Sequence, residues 1–200
     1  MHAGAMTRSF TRAEPDARRQ SLIAAAARVL AARGAAGASV RTICAEAGVS
    51  PGLLRHYFDG IDALIAETYA WTGERVTRAL ADAVAEAGED PRRRLLAYVT
   101  ASFRAPIADP QLLATWIAFW SLVKANPGIA RLHGEIYAGY RQGLEALLAE
   151  CGRTGAALRL DAVAITALVD GLWLELCLAP DVFTAEEAGA IAERWIDRML

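Results

Sequence analysis

Ser39-Val-Arg-Thr-Ile-Cys-Ala-Glu-Ala-Gly-Val-Ser-Pro-Gly-Leu-Leu-Arg-His-Tyr-Phe58 sets two short helical patterns on either side of a Gly-Val-Ser turn. Ser39 is placed to cap the first helix, on which Val40, Ile43, Cys44 and Ala47 recur at helical spacing as one apolar face. Gly48 stands where that helix must stop. Ser50 can cap the second helix, Pro51 suits its first position because no N–H is needed there, and Leu54, Tyr57 and Phe58 point inward. Gly52, Arg55 and His56 remain on the opposite face. Gly52 holds nothing away from a groove, Arg55 can reach a guanine edge or a phosphate, and the helix N-terminus favours an anion. A helix-turn-helix reads DNA in this way, with backbone contacts positioning it and side chains specifying sequence. A plain helical hairpin with an exposed Arg and His has the same local spacing, so the rest of the chain has to decide.

Working outward, 54% hydrophobic and 22% charged residues make a packed globular chain and exclude disorder as the default. The net charge of −2 excludes a protein that is basic throughout. Its distribution is uneven, however: residues 1–65 hold eight arginines against five acids, and residues 66–200 hold 13 bases against 18 acids. A basic front on an acidic body suits a small nucleic-acid reader attached to something else. Cys44, Cys151 and Cys177 are far apart and sit in apolar helical patterns, which reads as reduced core thiols of a cytoplasmic protein with no metal site. The first eight residues lack the apolar run of a signal peptide. Leu112 to Val123 is too short to span a bilayer, and Val163 to Ala179 is interrupted by Asp170 and Glu175, so no membrane segment is expected. The 20 arginines to a single lysine reflect compositional bias.

Periodicity and punctuation give an all-α chain of about nine helices, with no period-two stretch of useful length. Residues 1 to about 14 form an Arg-containing arm, although Thr11 and Glu14 have capping-box spacing. Pro15 to Arg33 is a helix with an Ile23, Ala26, Ala27, Leu30 stripe, stopped by Gly34. Past the Asp59-Gly60 turn, Asp62 to about Ala87 is a long amphipathic helix with Ile65, Tyr69, Thr72, Val76, Ala79 and Ala83 inside. Further helices run through Leu95 to Phe103, Gln111 to Ala125, and Asn126 to Glu150. Asp161 caps Ala162 to Ala179, and Thr184 with Glu187 makes a capping box for the last helix. The expected division is a helix-turn-helix domain over residues 1–64 and a helical ligand-binding and dimerisation domain over residues 65–200.

Three features of the body could carry chemistry. Trp116, Phe119, Trp120 and Val123 form an aromatic stripe, and Trp173 follows later in Asp-Gly-Leu-Trp. Such a stripe is either core or the wall of a cation box, where a desolvated cation–π contact contributes about 2 kcal/mol. Polar groups stand in otherwise apolar helices at His133, Asp170 and Glu175, and Asp170 lies one turn from both Trp173 and Thr166. A carboxylate sharing a face with an indole suits a cationic ligand, as it also suits a solvated Asp. Ala164, Ala167, Leu168 and Gly171 permit close helix approach, as at a dimer seam. No nucleophile elbow, His-Glu-x-x-His, Cys-x-x-Cys or phosphate loop occurs, so no enzyme, catalytic residue or cofactor is expected.

Arg18 to Leu64, with Gly34, Val40-Arg-Thr-Ile43, Ala47-Gly-Val-Ser50 and the Tyr57-Phe58 pair, resembles the DNA-binding domain of the TetR family of bacterial regulators. Trp116-Ile-Ala-Phe-Trp120 and Ala167-Leu-Val-Asp-Gly-Leu-Trp-Leu174 resemble the C-terminal domain of its choline-responsive BetI-type subgroup. The resemblance implies a homodimeric repressor that leaves double-stranded operator DNA when a small-molecule effector enters the C-terminal domain. Carried over by position, Ser50, Pro51, Gly52, Leu53, Arg55, His56 and Tyr57 would face DNA, with Arg41 and Thr42 near its backbone. Trp116, Phe119, Trp120, Asp170 and Trp173 would bind the effector, possible classes being a quaternary ammonium ion or another cation. The last two helices would build the dimer interface. One departure concerns the phosphate-contacting lysine common in the family, whose place is taken by Ile61. Each lost phosphate contact flattens the salt dependence by a slope of about 0.9. The competing readings are a TetR-type regulator of an uncharged apolar compound, with the tryptophans as plain walls, and a helical ligand-binding protein without an operator.

Overall fold

The computed structural model describes residues 13–200, with side-chain environments from residue 16 onward. Residues 1–12 of the expected N-terminal arm, with Thr11 of the capping spacing, lie outside the described residues, and Ala13 and Glu14 already belong to the first helix. Among the described residues the chain is all-α: nine α-helices, one short 3₁₀ turn and no strand. Among the described residues no helix is long and apolar enough to cross a membrane.

The first three helices are α1 (Ala13–Gly37), α2 (Val40–Ala47) and α3 (Pro51–Tyr57). Gly34 breaks α1 with φ 62°, a left-handed angle that glycine adopts without the clash a Cβ would bring. Leu22, Ile23, Ala26, Val29, Ile43, Leu54 and Phe58 then close a small core over which α1 braces the other two. Arg28 donates to Glu46 at 2.6 Å, tying α1 to α2 across the surface.

The long helix α4 (Gly60–Glu86) runs out of this core into the second. Leu64 belongs to the first cluster and its neighbour Ile65 to the second, so successive side chains of one rigid rod anchor in both units. Farther along, Leu80 is buried where the periodicity had favoured Ala79 and Ala83, both half-buried. The larger side chain fills the space between helices.

The body continues with α5 (Pro91–Thr100), the 3₁₀ turn Ala101–Phe103, α6 (Pro110–Leu122), α7 (Pro127–Glu150), α8 (Gly155–Leu178) and α9 (Ala185–Met199). Aspartate or asparagine caps recur just before a first-position proline: Asp90 accepts from Arg93 N–H, Asp109 from Leu112 N–H, and Asn126 from Ile129 N–H. The Thr184/Glu187 capping box forms as expected. The start of α8 differs from the expectation. It begins seven residues before Ala162, behind Thr154, and Asp161 lies within the helix, accepting from Arg153 at 2.8 Å. The ion pair satisfies that carboxylate, and Leu158 packs against the body core, so the helix gains two extra turns.

Candidate nucleic-acid interface and ligand cavity

Capping builds the turn between α2 and α3. Ser39 Oγ accepts from Thr42 N–H, and Thr42 Oγ1 accepts from Ser39 N–H at 2.9 Å while donating to the carbonyl of Gly37 or Ser39. The Thr42 hydroxyl is therefore engaged within the turn. Gly48 closes α2 at φ 66°, and Ser50 Oγ accepts from Leu53 N–H to start α3.

With Leu54 sealed in the core, Pro51, Gly52, Arg55 and His56 are exposed on α3, together with Ser50 before it and Arg41 on α2; Leu53 is half-buried. Tyr57 is half-buried against the first core and stands edge-on to His56, ring centroids 5.0 Å apart. It thus divides between the inward position that spacing predicts and the outward one that the resemblance implies. A Cβ on Gly52 would meet only Ser50 Oγ, at 3.8 Å, so the fold places no demand for glycine there.

The body holds a cavity of about 650 Å³ between α4, α5, α7 and α8. Trp116, Asp170 and Trp173 line it, as the sequence suggests. Phe119 and Trp120 do not. Phe119 is fully buried and stacks on Tyr69 with centroids 4.3 Å apart, while Trp120 is half-buried and packs against the body core. Both lie on the α6 stripe, but a helix turns only part of such a stripe toward any one space.

Tyr137 on α7 joins these groups, and the sequence reading passes over it. Its hydroxyl accepts from Trp116 Nε1 at 3.3 Å and Trp120 Nε1 at 3.0 Å, and donates to Asp170 Oδ1 at 3.0 Å. The signal that could have found it is a tyrosine on an apolar stripe, because a buried phenol requires a partner. Trp173 Nε1 donates to the Ser102 carbonyl, and the Trp173 ring stands perpendicular to Trp116 with centroids 5.6 Å apart. Thr166, expected to share this face, donates to Ala162 O within its own helix.

Burial raises the Asp170 carboxyl to about 6, against the opposing pull of the Tyr137 hydrogen bond and the Arg141 charge. The carboxyl still ionises at neutral pH. Desolvation likewise pushes Tyr137 and Tyr69 upward, with the Asp170 charge adding to each shift, so both stay neutral phenols. His133 Nδ1 lies 2.9 Å from Tyr69 Oη, and burial lowers its pKa. The Tyr140 hydroxyl is enclosed at the cavity wall and makes no hydrogen bond. Glu175 is exposed, away from these groups. The assembly is a half-buried carboxylate beside aromatic rings, with donors held in fixed directions, and it can desolvate and neutralise a cation.

Residues 22–68 match the family described as bacterial regulatory proteins, tetR family, and residues 91–200 match that described as BetI-type transcriptional repressor, C-terminal. The HTH-type transcriptional regulator BetI of Paraburkholderia phytofirmans is 32% identical over 187 residues, covering 92% of this chain and 94% of that protein. A solved transcriptional regulator of Pseudomonas aeruginosa PAO1 is 43% identical with a TM-score of 0.85, covering 96% of this chain and 94% of that one. A regulator of Saccharomonospora viridis, solved in complex with choline, has a TM-score of 0.77 at 21% identity over 91% of this chain and 96% of its own. At that identity the likeness extends to the fold alone.

Proposed function

The chain belongs to the TetR family of bacterial transcriptional regulators and carries a BetI-type C-terminal domain, and from that premise we propose a cytoplasmic repressor that binds operator DNA as a homodimer and leaves it when a cation enters the body cavity. Residues 1–64 form the reader in this proposal and residues 65–200 the sensor. Ser50, Pro51, Gly52, Leu53, Arg55 and His56 enter the major groove, while Arg41 and Tyr57 meet phosphate, and Thr42 holds the turn that aims them. The exposed Gly52 supports this, since nothing in the fold requires a glycine and a close-approaching groove would.

An unpartnered apolar stripe supports the dimer. Leu160, Val163, Ala167, Gly171 and Leu178 recur along one face of α8, and Leu160, Val163 and Leu178 are exposed. A second copy would cover that face, and its small residues let the paired helices approach closely.

The observation that carries the effector reading is the Tyr137 hydroxyl, which turns the Trp116 and Trp120 donors and the Asp170 carboxylate onto one point beside the cavity. Trp116 and Trp120 belong to α6, which packs more extensively on α1 than any other pair of helices touches, and Thr115 Oγ1 lies within donating distance of Ala27 O of α1 at 3.1 Å and of Gln111 O in its own helix at 2.7 Å. A ligand that prefers one setting of α6 and α4 thereby shifts the population of reader orientations away from a spacing of about 34 Å, one turn of DNA. The choline seen in the Saccharomonospora viridis regulator is consistent with a small quaternary ammonium ion as one such ligand.

Thermal denaturation with quaternary ammonium ions, choline included, and neutral isosteres of equal size tests this reading. A cation at 100 times its Kd stabilises the fold by about 2.7 kcal/mol, a rise of about 5–10 °C in a chain of this length. The same cations should release the protein from DNA of its own promoter. A rise with the neutral isosteres alone supports instead an uncharged apolar effector, which the predominantly apolar lining of the cavity favours.

A further inference from the structure

We infer that the effector is a tailed cation: a small onium head at Asp170, a hydrogen-bond acceptor beside it, and a single apolar chain of about a dozen carbons running toward the mouth between α4 and α7. This rests on the cation reading of the cavity and narrows it. Size is the first reason. At ~30 Å³ per non-hydrogen atom, choline with its roughly seven atoms would fill about a third of the space. The cavity itself measures about 650 Å³.

The distribution of groups along the cavity is the second reason. Its inner end gathers half-buried Asp170 with buried Trp116, Trp173 and Tyr137. Its open end is marked by exposed Glu74 and Arg78 on α4 and exposed Glu135 and Gly139 on α7. Val76, Leu80, Leu132 and Ile136 line the space as well, offering a tail an apolar bed and no donor. A head group alone would leave that bed wet, and apolar surface in contact with water is the state that binding relieves.

Tyr140 supplies the third element. Its hydroxyl is fully enclosed and makes no hydrogen bond of ordinary length, with Ser102 and Asp170 both close enough to influence it. An enclosed phenol without an acceptor is costly, and a ligand oxygen placed between head and tail removes the cost. An ester or ether linkage meets that need, and a plain alkyl chain does not.

Isothermal titration with ethyl-, hexyl-, dodecyl- and hexadecyltrimethylammonium provides the test, with dodecanol as the neutral control. Affinity should rise about fourfold per methylene, the ratio for burying one CH₂, and stop rising between the last two members. Gly139→Leu should end the rise at a shorter chain, so that the dodecyl ion loses far more affinity than the hexyl ion. A Cβ at Gly139 meets nothing within 4 Å, and leucine is the better helix former, so that variant is expected to fold. Lauroylcholine should bind threefold to tenfold more tightly than an alkyl ammonium of equal length, and Tyr140→Phe should erase that difference.

A flat response from ethyl to dodecyl, with choline binding as well as any, overturns the tail and leaves the cation reading in place. Dodecanol binding as tightly as the dodecyl cation, or no onium ion binding at any length, overturns the cation reading itself. Equal loss of lauroylcholine and plain alkyl affinity in Tyr140→Phe overturns the acceptor.

Discussion

In the reader, Leu54 is sealed in the core and Arg55, the next residue, is exposed to solvent. In the body, Asp170 and Trp173 lie one turn apart on α8, yet their partners Tyr137 and Ser102 are 33 and 71 residues away. The first contrast is written in helical period and caps; the second exists only after the 3₁₀ turn, α7 and α8 have been brought together. Chemistry set by local order can be altered one residue at a time. Chemistry set by a shared hydrogen-bonding centre responds as a unit.

The largest effects should come from the adjacent pair in the reader. Leu54→Ala opens the reader core and is expected to lower stability by about 2–5 kcal/mol, read in a denaturant titration. Arg55→Ala should leave that titration and the dimer mass unchanged while weakening operator binding by about 1–3 kcal/mol per half-site. If Arg55→Ala dissociates the dimer, the separation of roles within α3 is broken.

In the body, Tyr137→Phe should remove about 1–3 kcal/mol of stability, because two indole N–H groups and a carboxylate oxygen lose one common partner. A loss no greater than that of an exposed phenol would show that the three groups do not act together. The same variant should raise the Asp170 pKa further, since the lost hydrogen bond favours the ionised form.

The pH response sharpens the comparison. Burial lifts the Asp170 carboxyl from 3.8 to about 6, so the folded chain holds this proton more tightly than the unfolded one. The stability that neutral Asp170 contributes is complete below the unfolded value and is lost as pH rises through about 6. Cation binding has the opposite sign: it needs the carboxylate, and affinity should fall about tenfold per unit as pH drops below the folded pKa. Asp170→Asn should therefore raise the ligand-free melting temperature at pH ~8 and abolish the response to cations. A variant that melts earlier yet still answers to cations would move the charge recognition elsewhere.

The smallest expected effect lies where the two regions meet. Thr115→Val removes a hydroxyl of α6 that lies within reach of α1, a loss of about 0.5–1.5 kcal/mol, and should reduce the ratio of operator affinities without and with effector. An unchanged ratio would assign the coupling to α4 alone.

The sequence by itself determined the succession of helices, the caps at Ser39, Ser50 and Thr184 and the exposed face of α3, because proline, glycine and capping side chains act on the few residues beside them. It also picked out Trp116, Asp170 and Trp173, since an acid in an apolar helix and an aromatic stripe are visible in a single strand of text. Tertiary structure decided that Phe119 stacks on Tyr69 while Trp116 faces the cavity, a difference in direction between two buried positions that carry the same kind of side chain. It also decided that Tyr137 joins the tryptophans to Asp170 and that Asp161 pairs with Arg153 instead of capping α8. These outcomes depend on which helices approach one another and at what angle, and that is set by packing over the whole core, which helical spacing within one segment does not encode.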